Sequence, residues 1–291
     1  MQSVIEPPLA PVTTRRIIRA AHLGMCFGVR DAIALALEKA AEGPLTILGD
    51  LVHNEKVMAD LQARGVRNEN QISKIETTTV MVTAHGASEK AMQRARQGGF
   101  ELLEATCPLV HHAHRAVARL VKDGFHPIII GQRGHVEVRG LTEDLEAFDI
   151  VLTDEDVAQL MARPRLGIAA QTTQPIERVR RMVDLIGERF PQAEIRFIDT
   201  VCQPTKQRQT AALDLAREAD AVVVVGGKSS NNTRELVKSC SRFCPRVYHV
   251  QGAADLQPGW FDGAQTIGLT AGTSTPDAVI DGVEKWLQAN L

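Results

Sequence analysis

Seven short apolar runs punctuate this chain, at residues 17–21, 45–48, 80–83, 128–130, 166–170, 221–225 and 266–269, with helical patterns between them. Strands that alternate with helices pair in parallel, because each helix carries the chain back to the same end of the sheet. The sequence therefore predicts an α/β fold built on parallel sheets.

The residues just past each run are more informative, since ligands gather where the strands of open parallel sheets end and helices begin. Every run here ends in polar chemistry. The series starts with Cys26, then His53 in VHNE, then His85 in TAHGAS. It restarts with Cys107 in ATCP, continues through His135 and Glu137 in GHVEV, and reaches Thr172 in QTTQ. A third round gives Cys202 in TVCQPT, Ser230 and Asn232 in SSNNT, and Ser274 in GTSTP. Cys107 lies 81 residues after Cys26, Cys202 lies 95 after Cys107, and 89 residues follow Cys202. A repeat of that period predicts three lobes of similar size, 16–106, 107–201 and 202–291, each opening near a cysteine. Residues 1–15 hold three prolines and little periodic apolar content, so they are expected to form a flexible tail outside the site.

At 291 residues and 44% hydrophobic content, the chain can bury a large core divided among such lobes. A net charge of -2 gives no general field for nucleic acid or an anionic membrane, so an anionic ligand must be held by local groups. The apolar runs are too short to span a bilayer, and the first residues lack the order of a signal peptide. The cytoplasm is the expected compartment. Five cysteines, an odd number spread along the chain, do not read as a secreted disulfide framework; reduced thiols free to bind metal fit better.

One cysteine per lobe can converge only if the lobes meet around an axis, where three soft thiolates suit iron–sulfur or zinc. Pro108, directly after Cys107, fits a first helical position, so the helix dipole would favour that thiolate. A four-iron cluster with three such ligands keeps one iron open to substrate. A structural zinc site of three cysteines and a histidine is the non-enzymatic alternative. Cys240 and Cys244 fall at the end of a helical pattern and read as core or surface residues.

The segments GMCFGVRDAI, LVHNEKV, TAHGAS, ATCPLV, GHVEV, QTT, VVVVGGKSSNNTREL and LTAGTSTP resemble the 4-hydroxy-3-methylbut-2-enyl diphosphate reductase family. Those enzymes close the methylerythritol phosphate route to isoprenoids, and the resemblance runs from about residue 17 to the last. It implies three α/β lobes in a pseudo-threefold cloverleaf around a central four-iron four-sulfur cluster, with Cys26, Cys107 and Cys202 as ligands. It also implies reductive dehydroxylation of an allylic diphosphate to isopentenyl and dimethylallyl diphosphate, with ferredoxin or flavodoxin as electron donor.

Position by position, the resemblance assigns the diphosphate to His53, His85, Ser230, Asn231, Asn232 and Ser274. It assigns the substrate hydroxyl and proton delivery to His135, Glu137 and Thr172, with Glu137 as the acid. Neutral donors and helix N-termini are sufficient to bind a phosphate in a dry pocket. GGKSS is not a nucleotide loop, because the required first glycine would fall at Val222. His111, His112 and His114 bring only two imidazoles together on their helix and supply no third ligand. The nearest enzyme rival, a quinolinate synthase, also has three lobes and three cysteines, but the VHN and TAHGAS pair argues against it. Two departures from the family stand out. Val136 replaces the usual proline between His135 and Glu137, which predicts a less rigid loop, and Pro204–Thr205 replaces the usual alanine–threonine after Cys202.

Overall fold

A computed structural model describes residues 15–291, so the expected tail at 1–15 lies outside the described residues except for Arg15. The described residues form three four-stranded sheets, all of whose strand pairs are parallel. The first contains β2 (Leu45–Leu48), β3 (Arg67–Glu69), β4 (Thr79–Val82) and β5 (Glu101–Glu104), in the order β3-β2-β4-β5. The second contains β6 (His126–Ile130), β7 (Asp149–Val151), β8 (Arg165–Ala170) and β9 (Glu194–Phe197), in the order β7-β6-β8-β9. The third contains β10 (Ala221–Val225), β11 (Val247–Val250), β12 (Thr266–Ala271) and β1 (Arg16–Arg19), in the order β11-β10-β12-β1.

The lobe boundaries need one correction. β1 lies inside the interval 16–106 assigned to the first lobe, yet it pairs with β12, from Arg16↔Thr266 to Arg19↔Leu269. It takes the outer place that β5 and β9 hold in the other two sheets. The reason is cyclic: each sheet ends in an outer strand, and the residues just beyond that strand carry a cysteine. Without β1 the third sheet would lack that strand, and Cys26 would have no frame.

The helix opened by each cysteine packs on the next sheet. Cys26, Cys107 and Cys202 are the N-cap residues of α1 (Phe27–Glu42), α4 (Pro108–Lys122) and α8 (Gln203–Glu218). α1 lies on β2, α4 on β6 and β8, and α8 on β10 and β12. Each cysteine therefore marks a junction where the chain leaves one lobe and enters another. The other helices are α2 (Glu55–Ala63), α3 (Glu89–Gln97), α5 (Val136–Thr142), α6 (Asp154–Ala158), α7 (Ile176–Arg189), α9 (Asn231–Cys240) and α10 (Asp277–Asn290).

Strand β10 shows how the cores form. Its five residues AVVVV are fully buried, and successive side chains enter opposite faces of the sheet. Ala221, Val223 and Val225 pack with Ile280, Val283 and Leu287 of α10, whereas Val222 and Val224 pack with Ala212, Leu215 and Ala216 of α8. Each buried valine contributes about 1.5 to 3 kcal/mol over exposure. A Val224→Asp change would leave an unpaired carboxylate in that layer and break the third lobe.

In all three sheets the strand order reverses between the two central strands, so a crevice opens at their C-terminal ends. The loops after β2 and β4, β6 and β8, and β10 and β12 form three such crevices. They carry His53 and His85, His135 and Thr172, and Ser230 and Ser274 respectively.

Candidate active site at the junction of the three lobes

The three crevices face one another. His53 and His85 stack with ring centroids 4.3 Å apart, and the His135 ring of the second lobe meets them edge-on at 5.2 and 5.8 Å. A cavity of about 40 Å³ lies against these rings and is closed from the third lobe by Ser230, Asn232 and Ser274. A larger cleft of about 800 Å³ between the first and second lobes leads to His53 and His135.

All three imidazoles are held neutral by burial. Desolvation pulls His53 below its usual range, His85 well below it and His135 to about 4, and mutual proximity adds to the effect for His85 and His135. His135 caps α5 by accepting the Glu137 backbone N–H at Nδ1, 3.1 Å away, so its own proton resides on Nε2. His53 Nε2, His85 Nδ1, Asn231 Nδ2 and Asn232 Nδ2 are buried without a protein partner. Asn232 is oriented by its carbonyl oxygen, which accepts the Thr273 N–H at 3.0 Å, leaving its NH2 group free. An unmade buried hydrogen bond costs about 1 to 3 kcal/mol. All four line one cavity, where a bound polar ligand could satisfy them.

The third lobe is tied to the first at this point. Ser274 Oγ donates to the His53 carbonyl at 3.2 Å, and the Ser229 hydroxyl donates to Glu55 of α2 at 2.7 Å. Gly227 must lack a side chain, since a Cβ there would stand 2.9 Å from the His53 carbonyl oxygen.

Glu137 lies in the first turn of α5, not on the loop expected for it, and is only 1% exposed. Thr172 donates to both of its oxygens, from the backbone N–H at 2.6 Å and from the hydroxyl at 3.0 Å. Burial pushes this carboxyl up to about 7, against the opposing pull of the two Thr172 hydrogen bonds. Val136 is the first helical residue of α5. Proline suits that position but is not required there, because its N–H has no intrahelical partner in any case. Pro204 occupies the first turn of α8 for the same reason.

The cysteines share one backbone arrangement. The N–H of Cys26 donates to the Thr273 carbonyl at 3.0 Å, that of Cys107 to Ala84 at 3.1 Å, and that of Cys202 to Thr172 at 3.0 Å. Each bond joins a cysteine to the loop after the neighbouring central strand. None of the three side chains caps its own helix, although Cys202 Sγ lies 3.0 Å from the Thr205 hydroxyl one turn on. Gly28 packs against Cys107 Sγ so closely that a Cβ there would collide with it. The thiols of Cys107 and Cys202 are pushed up by burial, the latter to about 11, a state that a bound metal reverses by displacing the proton. Soft donors from three lobes, with a glycine where a side chain would strike one of the sulfurs, fit an iron–sulfur cluster, which spreads its ligands over several irons.

Cys240 and Cys244 lie in the core of the third lobe, with their sulfurs against the carbonyls of Ala212 and Arg246. His111 faces Glu104 at 3.3 Å, and among the described residues no three His, Cys, Asp or Glu side chains form a ready single-metal site. The sequence alone does not mark Gly28, Glu55, Arg208 or Thr273; Thr205 enters it only beside Pro204, as a departure from the family after Cys202.

Three parallel α/β lobes, each with polar groups at its switch point and joined to the next by a helix that a cysteine opens, define the class of fold. The chain belongs to the LytB protein family, whose match extends over residues 17–288. The 4-hydroxy-3-methylbut-2-enyl diphosphate reductase of Anaeromyxobacter sp. (strain Fw109-5) is 38% identical over 269 residues, 91% of this chain and 94% of the relative. Its counterpart in Aquifex aeolicus (strain VF5) is 36% identical over 278 residues, covering 94% and 96%. Among solved structures, the E-1-hydroxy-2-methyl-but-2-enyl-4-diphosphate reductase from Plasmodium falciparum matches with a TM-score of 0.87 at 27% identity, covering 95% of this chain and 88% of that one. A second, an (E)-4-hydroxy-3-methyl-but-2-enyl diphosphate reductase described as the terminal enzyme of the non-mevalonate pathway, matches at 0.69 with 35% identity, covering 95% and 100%. The family implies an iron–sulfur cluster.

Proposed function

We propose that the chain reduces 4-hydroxy-3-methylbut-2-enyl diphosphate to isopentenyl and dimethylallyl diphosphate, the last step of the methylerythritol phosphate route. The observation that carries this is Glu137, a buried carboxyl raised to about 7, placed in the lobe junction that also holds the cysteines and a set of unpartnered neutral donors. One 4Fe–4S cluster with Cys26, Cys107 and Cys202 as ligands and one open iron fits the donor set. When bound, it supplies electrons and a Lewis-acid site.

The protein's own groups do the rest. His53, His85, Ser230, Asn231, Asn232 and Ser274 bind the diphosphate through neutral donors, which suit it in a site where water is scarce. His135, with its proton on Nε2, and Thr172 hold the hydroxyl end of the substrate. Glu137 gives its proton to the departing oxygen, so that the carbon–oxygen bond breaks with release of water. Two electrons and a second proton complete the allyl product. The three lobes, 16–106, 107–201 and 202–291 with β1 transferred to the third, act as the working units. Among the described residues no helix is long and apolar enough to cross a membrane; a cytoplasmic enzyme served by ferredoxin or flavodoxin accords with this reading.

The test is anaerobic purification followed by iron and sulfide analysis and a reduction assay with a chemical reductant. About four irons per chain and conversion of the allylic diphosphate are expected. Protein without iron, or a loaded cluster that leaves the substrate intact, would overturn the assignment.

A further inference from the structure

Helices α1, α4 and α8 each start at a cysteine of the lobe junction, so corresponding positions along them can be compared. Three residues after the cysteine stand Val29, Val110 and Thr205; six residues after it stand Ala32, Ala113 and Arg208. Only α8 places polar side chains at both positions, one turn apart on the same helix face.

Thr205 is fully buried, and its hydroxyl lies 3.0 Å from Cys202 Sγ. With a thiol the sulfur can donate; once the cysteine is a metal-bound thiolate, the proton in that contact must come from Thr205. Arg208 is 9% exposed. Its Nε–H donates to the Gly24 carbonyl at 2.8 Å and its Nη1–H to the Pro204 carbonyl at 3.1 Å. The guanidinium thus bridges the loop that leads to Cys26 and the helix that Cys202 opens. Burial disfavours its charge, and of the titratable groups around it Cys26 and Cys202 favour the charge while Arg30 opposes it. A buried guanidinium keeps its charge and requires an anion nearby.

We infer that α8 is the electrostatic partner of the cluster: Arg208 is its buried counter-charge, and Thr205 donates a hydrogen bond to the Cys202 thiolate. This rests on the reading that the three cysteines hold a cluster. Each electron taken up makes the cluster more anionic, so a fixed cation and a sulfur-directed donor stabilise the reduced state most and raise the reduction potential. The effect is one-sided, because Val29 and Val110 give no hydroxyl to Cys26 or Cys107. Arg208 and Thr205 are positioning residues that need not touch the substrate.

The experiment is a redox titration of anaerobically purified holoprotein, read from the cluster spectrum, for Thr205→Val, Thr205→Ser, Arg208→Met and Arg208→Lys. Thr205→Val should move the reduction equilibrium toward the oxidised form by about threefold to tenfold, tenfold being about 59 mV for one electron. Arg208→Met should move it by at least as much, whereas Thr205→Ser and Arg208→Lys should return it close to wild type. Loss of the cluster from Arg208→Met with retention in Arg208→Lys gives the same answer; loss from both overturns the role of charge. Full iron with an unchanged potential in Thr205→Val and Arg208→Met overturns the inference alone. Wild-type protein without a cluster overturns the underlying reading, and iron analysis of the wild type separates the two failures.

Discussion

Thr172 grips both oxygens of the Glu137 carboxylate, its N–H 2.6 Å from one and its hydroxyl 3.0 Å from the other, in a position closed to solvent. Hydrogen bonds alone would favour the ionised form; burial outweighs them and leaves the carboxyl poised near 7. One residue thereby sets the direction of the acid while the surrounding packing sets its proton affinity.

Glu137→Gln keeps the shape and one acceptor oxygen but has no acidic proton to give. Turnover with a chemical reductant should fall roughly 100-fold to 10,000-fold, with iron content and substrate affinity retained. Near-normal turnover in a fully loaded Glu137→Gln protein would remove the residue from the chemical step.

The same carboxyl predicts a pH dependence with a definite sign. Its folded value of about 7 lies above the ordinary 4.5, so the stability it contributes is full below about 4.5 and is lost as pH rises through about 7. Proton delivery follows the same direction, declining roughly tenfold per pH unit above that value when it limits the rate. Profiles of turnover and of unfolding for wild type and Glu137→Gln should differ across this window; identical profiles would place the proton donor elsewhere.

Asn232→Ala or Ser274→Ala removes one neutral donor from the diphosphate cradle. Each should weaken substrate binding by about 1 to 3 kcal/mol without altering the cluster spectrum. Titration with substrate, followed through that spectrum, checks both, and unchanged affinity in the pair would show that the third lobe does not hold the phosphates.

Replacing Cys26, Cys107 or Cys202 by serine should strip or destabilise the cluster. Cys240→Ser and Cys244→Ser should keep it, since both sulfurs are buried against backbone carbonyls in the core. Iron analysis of the five variants decides the ligand set.

Gly28 supplies a steric test of the same site. An alanine there would drive a methyl group into Cys107 Sγ, so Gly28→Ala should lose iron although it adds no charge and breaks no ligand. A loaded Gly28→Ala protein would mean that the approach of α1 to Cys107 relaxes at low cost.

Much of the frame was visible in the sequence, for physical reasons that also explain the gaps. Strands such as β10 and β6, covered on both faces, stand out as continuous apolar runs. The outer strands β3, β5, β7 and β9 do not: sequences such as RNE, ELLE and EIRF are short and carry charges suited to an exposed edge. Pairing of β1 with β12 joins residues far apart in sequence, and no local pattern encodes it. The cysteines were legible because their spacing repeats. The stack of His53 on His85, the burial of Glu137 and the bridge made by Arg208 arise only when the lobes meet.

The placement of β1 also bears on biosynthesis. A strand made first must remain unpaired until β12 has been synthesised, since Arg16 and Thr266 are register partners. Through that pairing and the Cys26 bond to Thr273, the first cysteine is positioned only after the last sheet exists. The first two sheets can form before the third, but Cys26 is fixed only once the segments around Arg16 and Thr266 have paired.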